Sequence, residues 1–98
     1  MALLEISVVP VGTESPSISS FVARACREAQ RNGIKYHVTP TSTVLGGDLP
    51  ALLHVAQQMH NAAFQAGSRR VVTNISIDDR RDQELTMEQS VETVHSEI

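Results

Sequence analysis

The sequence is poor in several residue types, and each shortage narrows the kinds of protein that it can be. It contains one cysteine, Cys26, which excludes an intramolecular disulfide and suits a reducing compartment such as the cytoplasm. It has no tryptophan, one tyrosine and two phenylalanines, so the core must be built from aliphatic side chains. No run approaches the roughly 18 apolar residues of a membrane-spanning helix, and the first residues do not resemble a signal peptide. These shortages predict a cytoplasmic protein without a membrane segment.

Basic residues are also scarce, with eight Lys and Arg against eleven Asp and Glu and a net charge of −3. The densest basic pair, Arg80-Arg81, is flanked by Asp78, Asp79 and Asp82. No basic stripe with interleaved aromatic residues is present, so nucleic acid is not an expected partner. The alternating charges predict a salt-bridged turn at the end of a strand more readily than a cation site.

Residues that could carry metal binding or catalysis are not spaced for either task. His54 and His60 are six residues apart on one predicted helix and therefore point to different faces, and a single cysteine cannot build a thiolate site. No serine lies in a GxSxG nucleophile elbow. Cys26 falls on an apolar helix stripe, which is typical of an inert packed thiol. The sequence therefore predicts no metal, no cofactor and no catalytic activity.

Strand patterns occur in four places along the chain. Alternation of apolar and polar residues, together with turn signals, predicts strands at 3–11, 34–40, 41–45 and 70–78. The second and third of these are joined tightly near Pro40. The two longest, at the beginning and the end of the set, alternate most cleanly.

Helix patterns separate and follow these strands. An apolar period of 3.6 residues predicts one helix from residue 18 to the stop signal at Asn32-Gly33, and another from Asp48 to Gly67. The buried stripe of the second helix is predicted to comprise Leu49, Leu52, Leu53, Ala56, His60, Ala63 and Phe64, with Met59 at its edge. A capping box at 86–89 predicts a last helix over 86–98.

The predicted order is β-α-β-β-α-β plus a C-terminal helix, within one domain that spans residues 1–98. Right-handed crossovers fold this order into a ferredoxin-like α+β sandwich, in which an antiparallel four-stranded sheet carries both helices on one face. The other face, called the open face below, must then meet solvent, a second sheet or a ligand.

Small hydrogen-bonding side chains are predicted to cover the open face. Alternation places Leu4, Ile6 and Val8 toward the helices and leaves their neighbours on the other side. The predicted set is Glu5, Ser7, His37, Thr39, Asn74 and Ser76, to which Thr43 is added because the facing of the third strand is ambiguous. Such a set fits a solvated face or a wet subunit interface, and it also fits a pocket for a small polar ligand between two packed sheets.

Three segments resemble a known family. They are the Glu-Ile-Ser strand followed by Val9-Pro10-Val11-Gly12-Thr13, the middle hairpin with Tyr36, Thr39-Pro40 and Thr43, and the stretch 70–82. Together they resemble the YkoF-like family of small thiamine-binding proteins, along nearly the whole chain. The resemblance implies a ferredoxin-like domain that dimerises through its sheets and commonly forms tetramers. It also implies binding of thiamine or its pyrimidine moiety, without catalysis.

One position departs from the family pattern. After the threonine that matches Thr43, the family usually has two apolar residues and then Glu-Gly, whereas this chain has Gly46-Gly47. A carboxylate suits both an aminopyrimidine and a cationic thiazolium, so Glu5 or Asp78 would have to replace the missing one.

Three functions therefore stay open at this point. The first is a small-molecule binding protein, with Glu5 facing the amino group or the positive ring and the other polar residues orienting the ligand. The second is a ligand-independent oligomer, an interaction or scaffold protein whose polar faces hydrogen-bond across subunits. The third is an enzyme similar to the ferredoxin-like dimeric monooxygenases, which lacks support because no acid–base pair or aromatic-lined cavity is evident.

Overall fold

The structure is a computed structural model that describes residues 1–11 and 19–82. Its strands are β1 (Ala2–Pro10), β2 (Lys35–Val38), β3 (Thr43–Gly47) and β4 (Val71–Asp79), and its helices are α1 (Ser19–Arg31) and α2 (Leu49–Gln65). The helix predicted over 86–98 lies outside the described residues. No helix in the described part of the chain is long and apolar enough to span a bilayer.

All neighbouring strands of the sheet are antiparallel, in the order β2-β3-β1-β4. β1 is central, and it pairs with β3 through residues 2–6 and with β4 along its whole length. Both helices pack on one face of this sheet and share a single core with it. The architecture is the predicted ferredoxin-like sandwich.

Among the described residues, the core between the sheet and the two helices consists of aliphatic and sulfur-containing side chains. Leu4 and Leu45 project from the central strands, Leu52 and Met59 from α2, and all four side chains are fully buried. From α1 come small residues, Ala25, Cys26 and Ala29, which let that helix approach closely. Burying one large aliphatic side chain contributes about 1.5–3 kcal/mol, so these four residues carry much of the stability.

Each helix ends at a glycine in the left-handed conformation. Gly33 has a φ of +78°, its N–H donates to Gln30 O at 3.2 Å, and the Ile34 N–H donates to Ala29 O at 2.9 Å. This pair of bonds is a Schellman motif, and buried Ile34 packs next to the helix that it leaves. Gly67, with a φ of +108°, ends α2 in the same way.

The middle hairpin differs from its predicted bounds. β2 ends at Val38 because the Thr39 N–H bonds to Ser42 O at 2.8 Å and turns the chain there. β3 consequently starts at Thr43 and continues through Gly46 and Gly47, beyond the predicted end at residue 45. Both glycines pair with β1, so they belong to the sheet rather than to the loop.

The buried stripe of α2 is also rotated from its predicted position. The buried residues are Leu52, Val55, Ala56, Met59, Ala62 and Ala63. Leu53 and Phe64, which were predicted to be buried, are 42% and 43% exposed, and His60 is half-buried. This side of α2 faces β4, which is an edge strand of the sheet. Beyond β4, the described residues provide no further strand to cover these side chains.

Candidate functional site

The sheet register gathers most of the predicted polar residues on the open face. His37, Val44, Glu5 and Ser76 form one row across all four strands, because each is the direct partner of the next. With strands about 4.8 Å apart, the Glu5 carboxylate has Ser76 on the next strand and His37 two strands away. Polar side chains far apart in sequence thus converge on one line.

A second polar pair lies beside this row. Ser7 is the direct partner of Asn74, two residues further along β1 and β4. Glu5, His37, Asn74 and Ser76 are exposed and Ser7 is half-buried. Residues i and i+2 of a strand are separated by about 6.6–6.8 Å, so the two rows could contact opposite ends of one small ring system.

Aliphatic side chains surround these polar groups on the open face. Leu3 and Val44 are half-buried, while Val9 and Val72 are 49% and 40% exposed. A few polar groups on an aliphatic ground are typical of sites in which the apolar part supplies binding energy and the polar part fixes orientation. The face can therefore hold a flat ligand that has polar edges.

Gly46, where the family resemblance leads one to expect a carboxylate, lies on this same face. It forms a row with Lys35 on one side and Leu3 on the other, and Leu3 in turn pairs with Asp78. A carboxylate at this position would have stood one row from Glu5. Asp78 closes the row on the β4 side, so acidic groups are present at Glu5 and Asp78 but not between them.

Thr39 occupies the hairpin turn and uses its hydroxyl there. Its Oγ1 accepts the Ser42 N–H at 3.0 Å and lies 3.0 Å from Ser42 O, to which it can donate. The Ser42 hydroxyl is a further neighbour, at 3.1 Å. The hydroxyl therefore stabilises the turn and is already engaged in local bonds on both its donor and acceptor sides.

Thr43 is not on the open face, contrary to its predicted placement. It pairs with Ile6 and Val38, whose side chains lie on the helix side of the sheet, and it is only 6% exposed. The prediction was wrong because the register with β1 sets Thr43 beside Ile6, on the side of the sheet that the helices cover. Side chains do alternate between the two faces in β3. In a segment of five residues, however, the sequence alone did not indicate which of the two sets faces the helices.

A cavity of about 150 Å³ opens where β3 begins. Because β3 begins opposite Ile6, residues 7–10 of β1 have a strand partner only in β4 within the described part of the sheet. It is lined by the apolar residues Ile6, Val8, Val22, Val38 and Met59 and by the hydroxyl-bearing residues Ser7, Thr39, Thr41, Ser42 and Thr43. No sequence pattern indicated this cavity, since it depends on the stagger between β1 and β3.

His60 makes structural contacts on the side of the sheet that the helices cover. Its Nδ1 lies 2.7 Å from Thr73 Oγ1, and its ring meets Phe64 edge to face with centroids 5.3 Å apart. This bond ties α2 to the edge strand β4. Among residues 1–11 and 19–82, no group of three or more His, Cys, Asp or Glu is placed to hold a metal ion.

The pKa values of Cys26 and Arg80 are shifted by their immediate surroundings. Burial raises the pKa of the Cys26 thiol above its ordinary value, which keeps the sulfur protonated and unreactive near neutral pH. Arg80 donates to Asp82 at 2.7 and 3.1 Å, and this bond raises the pKa of the guanidinium. Together with the Arg81–Asp79 pair at 3.4 Å, it confirms the salt-bridged turn after β4.

Comparison with known proteins gives a consistent result along nearly the whole chain. The sequence model of a family described as thiamine-binding protein matches residues 4–95. The UPF0045 protein YqgV of Bacillus subtilis is 43% identical over 102 aligned positions, which cover 100% of this chain and 98% of that protein. A UPF0045 protein of Staphylococcus xylosus is 42% identical, over 96% of this chain and 92% of its own length.

A solved structure shares the fold. The crystal structure of the hypothetical protein MJ1052 of Methanocaldococcus jannaschii superimposes with a TM-score of 0.79 and 29% sequence identity. The match covers 96% of this chain and 95% of that one. The sheet order and the placement of both helices are therefore those of an experimentally determined fold.

Proposed function

Because the chain belongs to the thiamine-binding protein family, we propose that it is a non-catalytic binding protein for thiamine or a related pyrimidine. The observation that carries the proposal is the row of His37, Glu5 and Ser76 across the open face, with Ser7 and Asn74 beside it. The ligand lies on this face, between the sheets of two subunits of a homodimer or homotetramer. The buried thiol fits a reducing compartment, and the cytoplasm is the proposed location.

Recognition rests on complementary hydrogen bonding and charge. An aminopyrimidine offers an N–H₂ donor and ring-nitrogen acceptors, and a thiazolium carries a positive charge. The Glu5 carboxylate accepts from the amino group or offsets the cation, while the Ser76 hydroxyl lies on the next strand. Ser7 and Asn74, which can both donate and accept, orient the opposite edge of the ring.

A second sheet is needed because one flat face leaves a bound ring half in water. Packed sheets lie about 10 Å apart, which leaves room for a flat ring among small side chains. Two copies of the open face would also bring their acidic groups, Glu5 and Asp78, into one layer. Like charges brought together repel each other, and a cationic ligand between them relieves that repulsion.

Isothermal titration calorimetry with thiamine tests the proposal. We expect Glu5→Gln and Ser7→Val each to weaken binding, by roughly 10-fold or more for the carboxylate, since a hydrogen bond to a charged group is worth about 1.5–3 kcal/mol. Glu28→Gln makes the same chemical change at an exposed position of α1 and should leave the affinity unchanged. Absence of both heat and a thermal shift at millimolar thiamine would refute thiamine binding.

The aliphatic part of the open face favours a second candidate, a ligand-independent oligomer that acts as an interaction protein. Val9 and Val72 are substantially exposed, and an assembly that buries them needs no small molecule. In that case Asn74→Leu should change the mass of the assembly in sedimentation, whether or not thiamine is added. An assembly mass that responds to thiamine but not to this substitution would favour the binding function.

A further inference from the structure

The open face changes in character along β1 and β4. Its Glu5 row is followed, toward the end of β1, by the pair Ser7 and Asn74 and then by the pair Val9 and Val72. Both valines are exposed. An acidic row therefore gives way to a neutral hydrogen-bonding row and then to an apolar one.

A basic residue continues this face beyond the valines. The Val11 N–H donates to Arg70 O at 2.9 Å, so β1 and β4 keep their register for one more residue past the strand bounds. Alternation then sets Arg70 on the same face as Val72 and Asn74. Arg70 is exposed, and the adjacent Arg69 adds a second positive charge at this end of β4.

The opposite end of the open face has the opposite balance of charge. Lys35 and Asp78 lie in one row there, and Glu5 lies in the next row. This end thus carries two acidic groups and one basic group. A ligand with an anionic group is attracted to the Arg70 end and gains nothing at the other end, so the face distinguishes the two ends of a ligand.

We propose that the ligand is a phosphate ester of thiamine, with its phosphate at Arg70. This inference rests on the proposed function and adds to it the phosphorylation state and the orientation of the ligand. The aminopyrimidine lies across the rows of Glu5 and Ser7, and the thiazolium lies over Val9 and Val72. A guanidinium suits the phosphate because its planar N–H groups can donate two parallel hydrogen bonds to it.

The spacing along β4 agrees with this order. Asn74 and Arg70 are four residues apart, about 13 Å along the strand. The thiazolium and its hydroxyethyl arm occupy this interval, and the long arginine side chain can extend back over the valines to meet the phosphate. Thiamine itself ends in an uncharged hydroxyl, which gains little from a guanidinium. The phosphate therefore supplies the charge that the Arg70 end recognises.

Calorimetric titration of the full chain with thiamine and with thiamine monophosphate tests the site. We expect the monophosphate to bind roughly tenfold tighter or more, as for hydrogen bonds to a charged group. Arg70→Gln should bring the ratio of the two affinities close to one, and Arg70→Lys, which keeps the charge without the planar fork, should restore part of it. Arg27→Gln removes the same charge on the exposed side of α1 and should keep the wild-type ratio.

The fold of the variants is expected to persist, because Arg70 bonds to β1 through its backbone carbonyl rather than its side chain. Thermal unfolding of each variant checks this. A further readout is salt: since Arg70 is exposed, added salt should reduce the advantage of the monophosphate over thiamine.

Nuclear Overhauser contacts in the complex with thiamine monophosphate test the orientation. The thiazolium methyl group should contact the methyl groups of Val9 and Val72. Contacts to Leu3, which lies on the open face at the other end, would overturn the orientation.

Equal affinities for thiamine and its monophosphate, or a preference that survives in Arg70→Gln, would overturn the phosphate site while the proposed function stands. Binding of neither compound would instead refute the proposed function, and this inference with it.

Discussion

Three hydroxyl-bearing residues that were all predicted to lie on the open face have different surroundings in the fold. Ser7 lies on the open face beside Asn74, the Thr39 hydroxyl closes the hairpin turn, and Thr43 is buried under the helices. The difference arises from where β2 ends, which leaves Thr39 in the turn, and from the register of β3 against β1, which sets Thr43 beside Ile6. At the scale of single residues, a polar side chain becomes a site residue only through the register of its strand.

Cys26 gives a test at this scale that depends on pH. Burial raises the folded-state pKa of its thiol, so above about pH 9 the unfolded chain loses the thiol proton first. The stability contributed by the protonated thiol is complete below the unfolded-state pKa and is lost as the pH rises through the folded-state value. We expect the free energy of unfolding of the wild-type protein to fall over this range relative to that of Cys26→Ala.

Urea denaturation of both proteins at several pH values between 7 and 11 measures this difference. A constant difference between wild type and Cys26→Ala across the alkaline range would contradict the assignment. A thiol reagent gives a second readout, since the buried thiol should react with it only at the rate at which the protein opens.

At the scale of secondary-structure elements, glycine occurs at the end of α1 and at the end of β3, for different reasons. Gly33 has a φ of +78° and needs the left-handed conformation to end α1. Gly47 has ordinary backbone angles, and a Cβ there would lie 3.5 Å from Leu52 Cδ2 and 3.6 Å from Ile34 Cγ1, which is normal contact. The backbone conformation thus favours glycine at position 33, whereas a methyl side chain would fit the space at position 47.

Alanine substitution separates the two cases. Gly33→Ala should lower the free energy of unfolding by about 1–2 kcal/mol, because L-residues are strained in the left-handed region. Gly47→Ala should leave it unchanged or raise it by up to about 1 kcal/mol, because alanine reduces the conformational entropy of the unfolded chain at a position that it fits. Chemical denaturation of both variants provides the measurement, and equal losses at the two positions would show that the Schellman ending of α1 contributes little.

The same scale shows what the sequence could and could not predict about the fold. All four strands, both described helices and the facing of β1 and β4 follow from apolar periodicity and from Gly33 and Gly67. The buried side of α2 does not, because Leu53 and Phe64 extend an apolar stripe that is wider than the sheet beneath it. Periodicity reveals an amphipathic helix, whereas the width of the layer below decides which part of its stripe is covered.

For the whole molecule, the candidate site was predictable only in part. Glu5, Ser7, His37, Asn74 and Ser76 could be assigned to the open face because period-two alternation and the ferredoxin-like topology combine to place them there. The cavity at the start of β3 could not be predicted, since it arises from the stagger between two strands. Which residues bind a ligand stays a prediction, for which the calorimetric variants are the test.

Assembly gives a prediction for the whole molecule. If folding is coupled to association through the open face, the unfolding temperature must rise with protein concentration by mass action. A roughly hundredfold increase should raise it by about 5–10 °C for the wild-type chain. Val72→Glu, which places a charge on the open face, should flatten this dependence, and Arg27→Glu on the exposed side of α1 should not. Scanning calorimetry over that range supplies the measurement, and a constant unfolding temperature for the wild type would contradict the coupling.

The place of β1 in the sheet has a consequence for how the chain reaches its fold during synthesis. β1 emerges from the ribosome before β4, yet it is the central strand and pairs with β4 along its entire length. Until residue 79 has left the exit tunnel, Leu4 and Ile6 can be covered only by partial structure. Most contacts that complete the sheet are distant in sequence, which slows folding. The cover of β1 is therefore completed only late in synthesis, and until then its apolar side chains are open to contacts with other chains.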